Sequence, residues 1–150
     1  HGENGMNELL LMCMIAGRRA AIPAIRVQSV IEIDEITPIP GAPSFIRGLT
    51  ALRSQALTVI DCTVALGLEP GETPAQQRAA VVEIEGHLYA LLVDAAYDVG
   101  EARSEPIEVP GGFGPGWQAA ARGMVETDGG PTLLIEVEKL VTAPVAQVAA

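Results

Sequence analysis

Three acids close apolar runs in this chain: Asp61 ends L-T-V-I-D, Asp94 ends A-L-L-V-D and Glu136 ends T-L-L-I-E. Paired carboxylates can divide the acid and base roles of a hydrolytic reaction, so these positions are the first to test for chemistry. His87 is the one histidine beyond residue 1, and it stands in a Gly-His turn between two apolar runs. With no second histidine in the body of the chain, neither a zinc site nor a Ser-His-Asp relay finds support. Cys13 and Cys62 sit in apolar runs whose separation fits no metal spacing and no C-x-x-C pair, so they read as buried, reduced thiols. No Gly-rich phosphate loop is present. Two readings of the acids remain. Either Asp61, Asp94 and His87 converge in a small-molecule or hydrolytic site, or Asp61 and Glu136 cap short helices that follow them.

The second reading draws on an internal repeat. Arg47 and Gly48 return as Arg122 and Gly123, Val59 and Ile60 as Leu134 and Ile135, and Asp61 as Glu136, all 75 residues apart. A further stretch, Gly17 to Val30, aligns without a gap to Gly86 to Val99 at an offset of 69. The difference is an insertion of about six residues, which a surface loop absorbs at little entropic cost. The chain thus reads as one β unit written twice, as two intertwined β-barrel subdomains with repeat halves near 9–66 and 80–141 inside a domain of residues 6–141. Each copy is expected to bury its apolar faces in its own barrel and against its partner. Gly48 and Gly123, recurring at one repeat position, mark a backbone need such as a turn, a positive φ or a close strand approach.

Composition narrows the function classes. Hydrophobic residues make up 49% and charged ones 19%, which suits a folded domain, and aromatics at 3% leave the core to Val, Ile, Leu and Ala. A formal net charge of −10, with nine basic residues scattered, argues against nucleic acid and anionic lipid as partners. The most apolar run, Leu9 to Ala16, is far shorter than the roughly 20 residues of a membrane span and lacks a basic leader, so it reads as a buried first strand. His1 to Gly5 read as the remnant of an expression tag, and the cytoplasm is the expected compartment.

The elements that position these residues are short. Leu9 to Ile15, Ala20 to Pro23, Val27 to Ile33, Leu57 to Asp61, Ala80 to Glu85, Leu88 to Val93 and Leu133 to Val137 read as strands bounded by turn residues. Such spacing indicates an all-β barrel or sandwich. Short helices are expected at Ser44 to Arg47, Cys62 to Leu66 and Glu136 to Val141, whereas Ile25 to Val30 reads as either a helical turn or an extended run. Glu69 to Gln77 reads as a linker, Val109 to Gly116 as a loop, and residues 142–150 as a tail. Trp117, the one tryptophan, suits a cap on the second barrel or a partner anchor.

The segment I-T-P-I-P-G-A-P at Ile36 to Pro43, followed by G-L-T-A-L-R-S-Q-A-L-T-V-I-D at Gly48 to Asp61, resembles the CheW family of chemotaxis coupling proteins. A-L-L-V-D at Ala90 to Asp94 is similar to that family's G-L-L-V-D, and the likeness runs from about Leu9 to Val141. The resemblance implies two SH3-like five-stranded β-barrel subdomains with short connecting helices. It implies an adaptor with no enzymatic activity and no cofactor or metal, bridging the cytoplasmic tip of a chemoreceptor to the regulatory domain of a CheA-type histidine kinase. Receptor docking is implied in a groove between the subdomains, near Val27 and Arg53, with Ile25 beside them. Arg53 has a second reading, as a guanidinium that satisfies backbone carbonyls at the subdomain junction. Ala51, Ser54, Thr58 and Ser29 depart from the family pattern, in which asparagine, glycine, proline and an acid are usual. The same resemblance implies recruitment to membrane receptor arrays through partners, without insertion into the membrane, and leaves a non-motility chemosensory pathway as an alternative.

Overall fold

The computed structural model describes residues 8–71 and 76–142. Residues 1–5 and the tail beyond Thr142 lie outside that range, as does the middle of the expected linker. Ten strands form two five-stranded sheets. The strands are β1 (Leu9–Ile15), β2 (Arg18–Pro23), β3 (Val27–Ile33), β4 (Ile46–Leu52) and β5 (Gln55–Asp61), then β6 (Gln77–Ile84), β7 (His87–Val93), β8 (Ala95–Glu101), β9 (Ala121–Thr127) and β10 (Gly130–Ile135). The helices are α1 (Cys62–Ala65), α2 (Pro115–Ala120) and α3, whose described residues are 137–142. This is the all-β, SH3-like pair of five-stranded barrels that the resemblance implied.

The sheets do not follow the repeat boundary. Their orders are β8-β1-β2-β10-β9 and β3-β6-β7-β5-β4, so each sheet takes a hairpin from one copy and three strands from the other. The expectation that each copy fills its own barrel is therefore corrected: the copies exchange their first hairpins. The repeat itself persists in the register. β2 and β10 pair in parallel with Ala20 opposite Leu133, and β7 and β5 pair in parallel with Tyr89 opposite Thr58. Shifting Ala20 by 69 and Leu133 back by 75 gives Tyr89 and Thr58, so the two parallel seams are equivalent. The antiparallel seams match too, since Leu11 opposite Val99 corresponds to Ala80 opposite Val30, and Gly48 opposite Val59 corresponds to Gly123 opposite Leu134.

Exchange buries the central strands on both faces. In β6, Ala79 and Val81 face a small core with Leu57, Val59 and Ala90, while Ala80 and Val82 face a larger one. In β10, Leu134 joins Leu10, Ala21 and Val125, while Leu133 and Ile135 turn the other way. The larger core gathers residues of both sheets with Trp117, Leu140 and Val141. A strand buried on both faces reads as an unbroken apolar run, which is why these elements stand out in the sequence.

Several boundaries differ from expectation for the complementary reason. β4, β8 and β9 are half-exposed edge strands whose mixed polarity gives no apolar run. Ser44 to Arg47 is a turn leading into β4 and not a helix, its Ile46 N–H donating to Pro43 O at 3.0 Å. Ala24–Arg26 forms one 3-10 turn and Val27 starts β3, which resolves the two readings of Ile25 to Val30. Gln77, assigned to the linker, opens β6. Val109 to Gly116 contains a 3-10 turn at Gly111–Phe113 and the start of α2, where Gly116 lies against the carbonyl of Leu66 so closely that a Cβ would overlap it.

Gly48 and Gly123 lie within strands and not in turns. A Cβ on Gly48 would fall onto Thr37 O, and one on Gly123 would come within 2.6 Å of Ile107 O. Both carbonyls belong to isolated bridges, Thr37 with Leu49 and Ile107 with Met124, through which the connecting segments are laid against β4 and β9. Gly48 also has φ +143°, a region that side chains disfavour. Gly48→Ala is expected to destabilise the fold by about 2–4 kcal/mol, while Gly112→Ala, in open space, changes it by less than about 0.5 kcal/mol. Urea unfolding of the two variants measures this difference.

Candidate protein-docking surface

The second sheet carries the residues implicated in docking. Ile25 sits on the 3-10 turn Ala24–Arg26 and is 91% exposed, an extreme value for an isoleucine. Val27 begins β3 opposite Val82 and is half-buried against the larger core. Arg53 lies at the tip of the β4–β5 hairpin, between the paired residues Leu52 and Gln55. β3 and β4 are the two edges of that sheet, so Ile25 and Val27 adjoin while Arg53 stands on the opposite edge. The Arg53 side chain is exposed, and among the described residues no hydrogen bond or ion pair holds its guanidinium.

Backbone conformation sets how Arg53 is displayed. Arg53 and Ser54 have φ of 52° and 66°, both in the left-handed region of a tight two-residue turn. The hairpins at Ala16-Gly17 and Glu85-Gly86 take the same shape, with φ of 53° and 77° and of 52° and 82°, and place glycine second. Of these three turns, only the one at Ser54 holds that second place with a side chain, and its hydroxyl turns back onto the Arg53 carbonyl. Of the other departures, Ala51 is exposed opposite Ala56, Ser29 is half-buried opposite Val81, and Thr58 pairs with both Leu49 and Tyr89 inside the sheet.

Asp61 and Asp94 are held by structural contacts, and His87 lies far from them. Asp61 is buried and caps α1: its Oδ1 accepts from Val64 N–H at 3.2 Å, and its Oδ2 pairs with Arg47 Nη1 at 2.7 Å. Asp94 accepts from Gly17 N–H at 2.9 Å. Both line a cavity of about 520 Å³ with Arg47, Thr63, Arg78 and Glu32, and Glu32 is itself paired to Arg78 at 2.7 Å. His87 opens β7, whose other end meets Asp94, so roughly 20 Å of strand separates them at about 3.3 Å per residue. Convergence of Asp61, Asp94 and His87 is thus excluded by the length of one strand. Glu136 differs from its counterpart, lying 3.9 Å from Lys139 while Arg122 pairs with Glu8 at 2.7 Å.

Cys13 and Cys62 are free and buried. Burial, assisted by Asp94, pushes the Cys13 thiol up to about 12, and burial raises that of Cys62 as well, with smaller contributions from Cys13 and Asp61. Trp117 is 1% exposed in the larger core, so it anchors no partner, and its Nε1 has no acceptor among the described residues. One contact escaped sequence reasoning. Arg26 donates Nη1 and Nη2 to the two carboxylate oxygens of Glu138 at 3.0 and 2.7 Å, across 112 residues of sequence. Nothing in the local sequence of either residue signals that partnership.

Comparison with known proteins places this geometry. The CheW-like domain family matches residues 9–145. The chain belongs to the CheW family. It is 23% identical to the chemotaxis protein CheW of Rhizobium meliloti (strain 1021) over 93% of this chain and 90% of that protein. It is 30% identical to the probable chemotaxis protein CheW of Rhizobium etli over 77% of each. The crystal structure of the scaffolding protein TtCheW from Thermoanaerobacter tengcongensis superposes with a TM-score of 0.76 at 27% identity, covering 87% of this chain and 90% of that one. Among the described residues no helix is long and apolar enough to cross a membrane, and no three His, Cys, Asp or Glu side chains are grouped to hold a metal.

Two outcomes test the local chemistry. Ser54→Gly relieves a left-handed serine and is expected to stabilise the fold by about 0.5–1 kcal/mol, read as a higher urea midpoint at unchanged slope. Neither thiol reacts with a disulfide reagent at about pH 8 in the folded protein, and both react once urea unfolds it, because the thiolate is the nucleophile and burial suppresses it.

Proposed function

We propose that this chain is a chemotaxis adaptor that couples the cytoplasmic tip of a chemoreceptor to the regulatory domain of a CheA-type histidine kinase. The likeness that carries this reading is the near full-length match to a CheW scaffolding protein at 27% identity. The fold suits such a role, because a rigid double barrel offers edges and turns to partners, and an apolar knob at Ile25 next to half-buried Val27 matches the apolar face of a helical tip. Arg53, raised on its tight turn, supplies a guanidinium at the opposite edge. The protein works in the cytoplasm and reaches membrane-bound arrays through its partners. It needs no cofactor, and its acidity keeps it off nucleic acid.

Binding titrations against a receptor-tip fragment and a kinase regulatory domain test this. Val27→Asp and Arg53→Glu are each expected to weaken receptor binding about tenfold or more and kinase binding less, the loss typical of a contact residue near the centre of an interface. Equal affinities for all three proteins overturn the site assignment. Failure of the wild type to bind either partner, in protein whose Trp117 emission reports a folded core, overturns the coupling role.

A further inference from the structure

Ile25 is the most exposed large apolar residue described, and the turn that carries it is pinned at its ends by buried Pro23, which closes β2, and by Val27, which packs on the larger core. No residue of Ala24–Arg26 is buried, and no side chain caps the turn. Between those ends, the side chain that ties the turn to the rest of the molecule is Arg26. Its guanidinium grips Glu138 through two donors, at 3.0 and 2.7 Å, and also reaches Glu83 O of β6 at 3.4 Å. Glu138 is a firm anchor, because its helix α3 is fastened to the larger core by Val137, Leu140 and Val141 on the face away from solvent. A bidentate guanidinium–carboxylate pair fixes direction as well as distance. The repeat-equivalent junction is built differently: Asp94 stands at the place of Ile25 and is tied to Gly17, so this clamp is particular to the Ile25 side.

We propose that Arg26 and Glu138 are positioning residues for docking: their bridge presets the turn so that Ile25 is presented to the receptor tip in one orientation. The inference rests on the reading of Ile25 and Val27 as the receptor-contacting surface. Without the bridge the turn samples other conformations, and the apparent affinity falls by the fraction of molecules in which the knob is correctly placed. The bridge contributes little to global stability, since the two side chains are 32% and 48% exposed and such pairs are weak in water. Docking and folding therefore respond differently to its loss.

The experiment measures binding of a receptor-tip fragment by the full chain for the wild type, Ile25→Asp, Arg26→Glu, Glu138→Arg and the Arg26→Glu/Glu138→Arg exchange. Each single clamp variant is expected to bind about three- to tenfold more weakly, at an unchanged unfolding midpoint. The exchange restores affinity to within about twofold, as the pair is re-formed with its charges reversed. Amide exchange at Val27, whose N–H donates to Ala24 O, should quicken in the single variants and slow again in the double. If Ile25→Asp weakens binding while the clamp variants bind like wild type, positioning is overturned and the docking surface stands. If Ile25→Asp binds like wild type, the surface reading itself fails and the positioning role with it. If single variants bind weakly while Val27 exchange stays at the wild-type rate, the bridge does not act through the turn and the proposal is overturned.

Discussion

The fold depends on the strand pairings that cross the repeat boundary, parallel β2 with β10 and β5 with β7 and antiparallel β1 with β8 and β3 with β6, because together they stitch a hairpin of one repeat copy into the sheet of the other. Without them the first hairpin of each copy would leave a buried row of backbone donors and acceptors unpaired, a cost no packing offsets easily. With them, neither copy is a complete barrel alone, since each sheet holds strands of both. The double barrel is one cooperative unit by construction. Its large core gathers residues from both sheets, so the relative placement of the two barrels is fixed by packing and not by a linker.

That exchange explains the composition. Five strands around each narrow barrel leave room inside for only a few side chains, and the structure fills it with Ala79, Ala90, Val59 and Val81 in one barrel and Ala21, Leu10 and Val125 in the other. The same strands must present a second apolar face outward to the shared core. Small residues therefore dominate the central strands, where Tyr89 of β7 is half-buried against the shared core, and the single tryptophan comes from α2, which lies over that core instead of inside a barrel. The cysteines follow the same logic as small apolar residues in the shared core. Their chemistry is suppressed by the environment that requires their size.

Legibility follows burial. β1 and β7 are readable within a residue because apolar residues run along them, while the edge strand β3 is readable through its β-branched residues Val27, Val30, Ile31 and Ile33, and the repeat offsets are readable because Arg47-Gly48 and Arg122-Gly123 are tied to backbone geometry. β8 is not, since A-A-Y-D-V-G-E carries Tyr97 and Val99 on an exposed edge beside Asp98 and has no period to detect. The hairpin exchange is also hidden: a repeat states what is duplicated and is silent on which copy pairs with which. At the docking surface, the identities of Ile25, Val27 and Arg53 come from the family pattern, whereas the exposure of Ile25 and the left-handed turn under Arg53 are visible only in three dimensions. The Arg26–Glu138 pair is beyond reach for the same reason as the exchange, because it joins segments that only the folded chain brings together.

Duplication creates a problem that divergence then resolves. A body with two equivalent junctions would accept one partner in two orientations. Here the equivalent junctions no longer match. One is polar, with the half-buried Arg47–Asp61 pair, Asp94 and a cavity of about 520 Å³. At the other, the arginine equivalent to Arg47 turns to Glu8, the acid equivalent to Asp61 is left to Lys139, and an isoleucine replaces the acid of the first junction. An apolar partner face meets matching chemistry at Ile25 and must desolvate carboxylates at Asp94. If the proposed docking at Ile25 holds, selection between the two junctions comes as much from that penalty as from the contact at Ile25, since discrimination is a difference of two affinities.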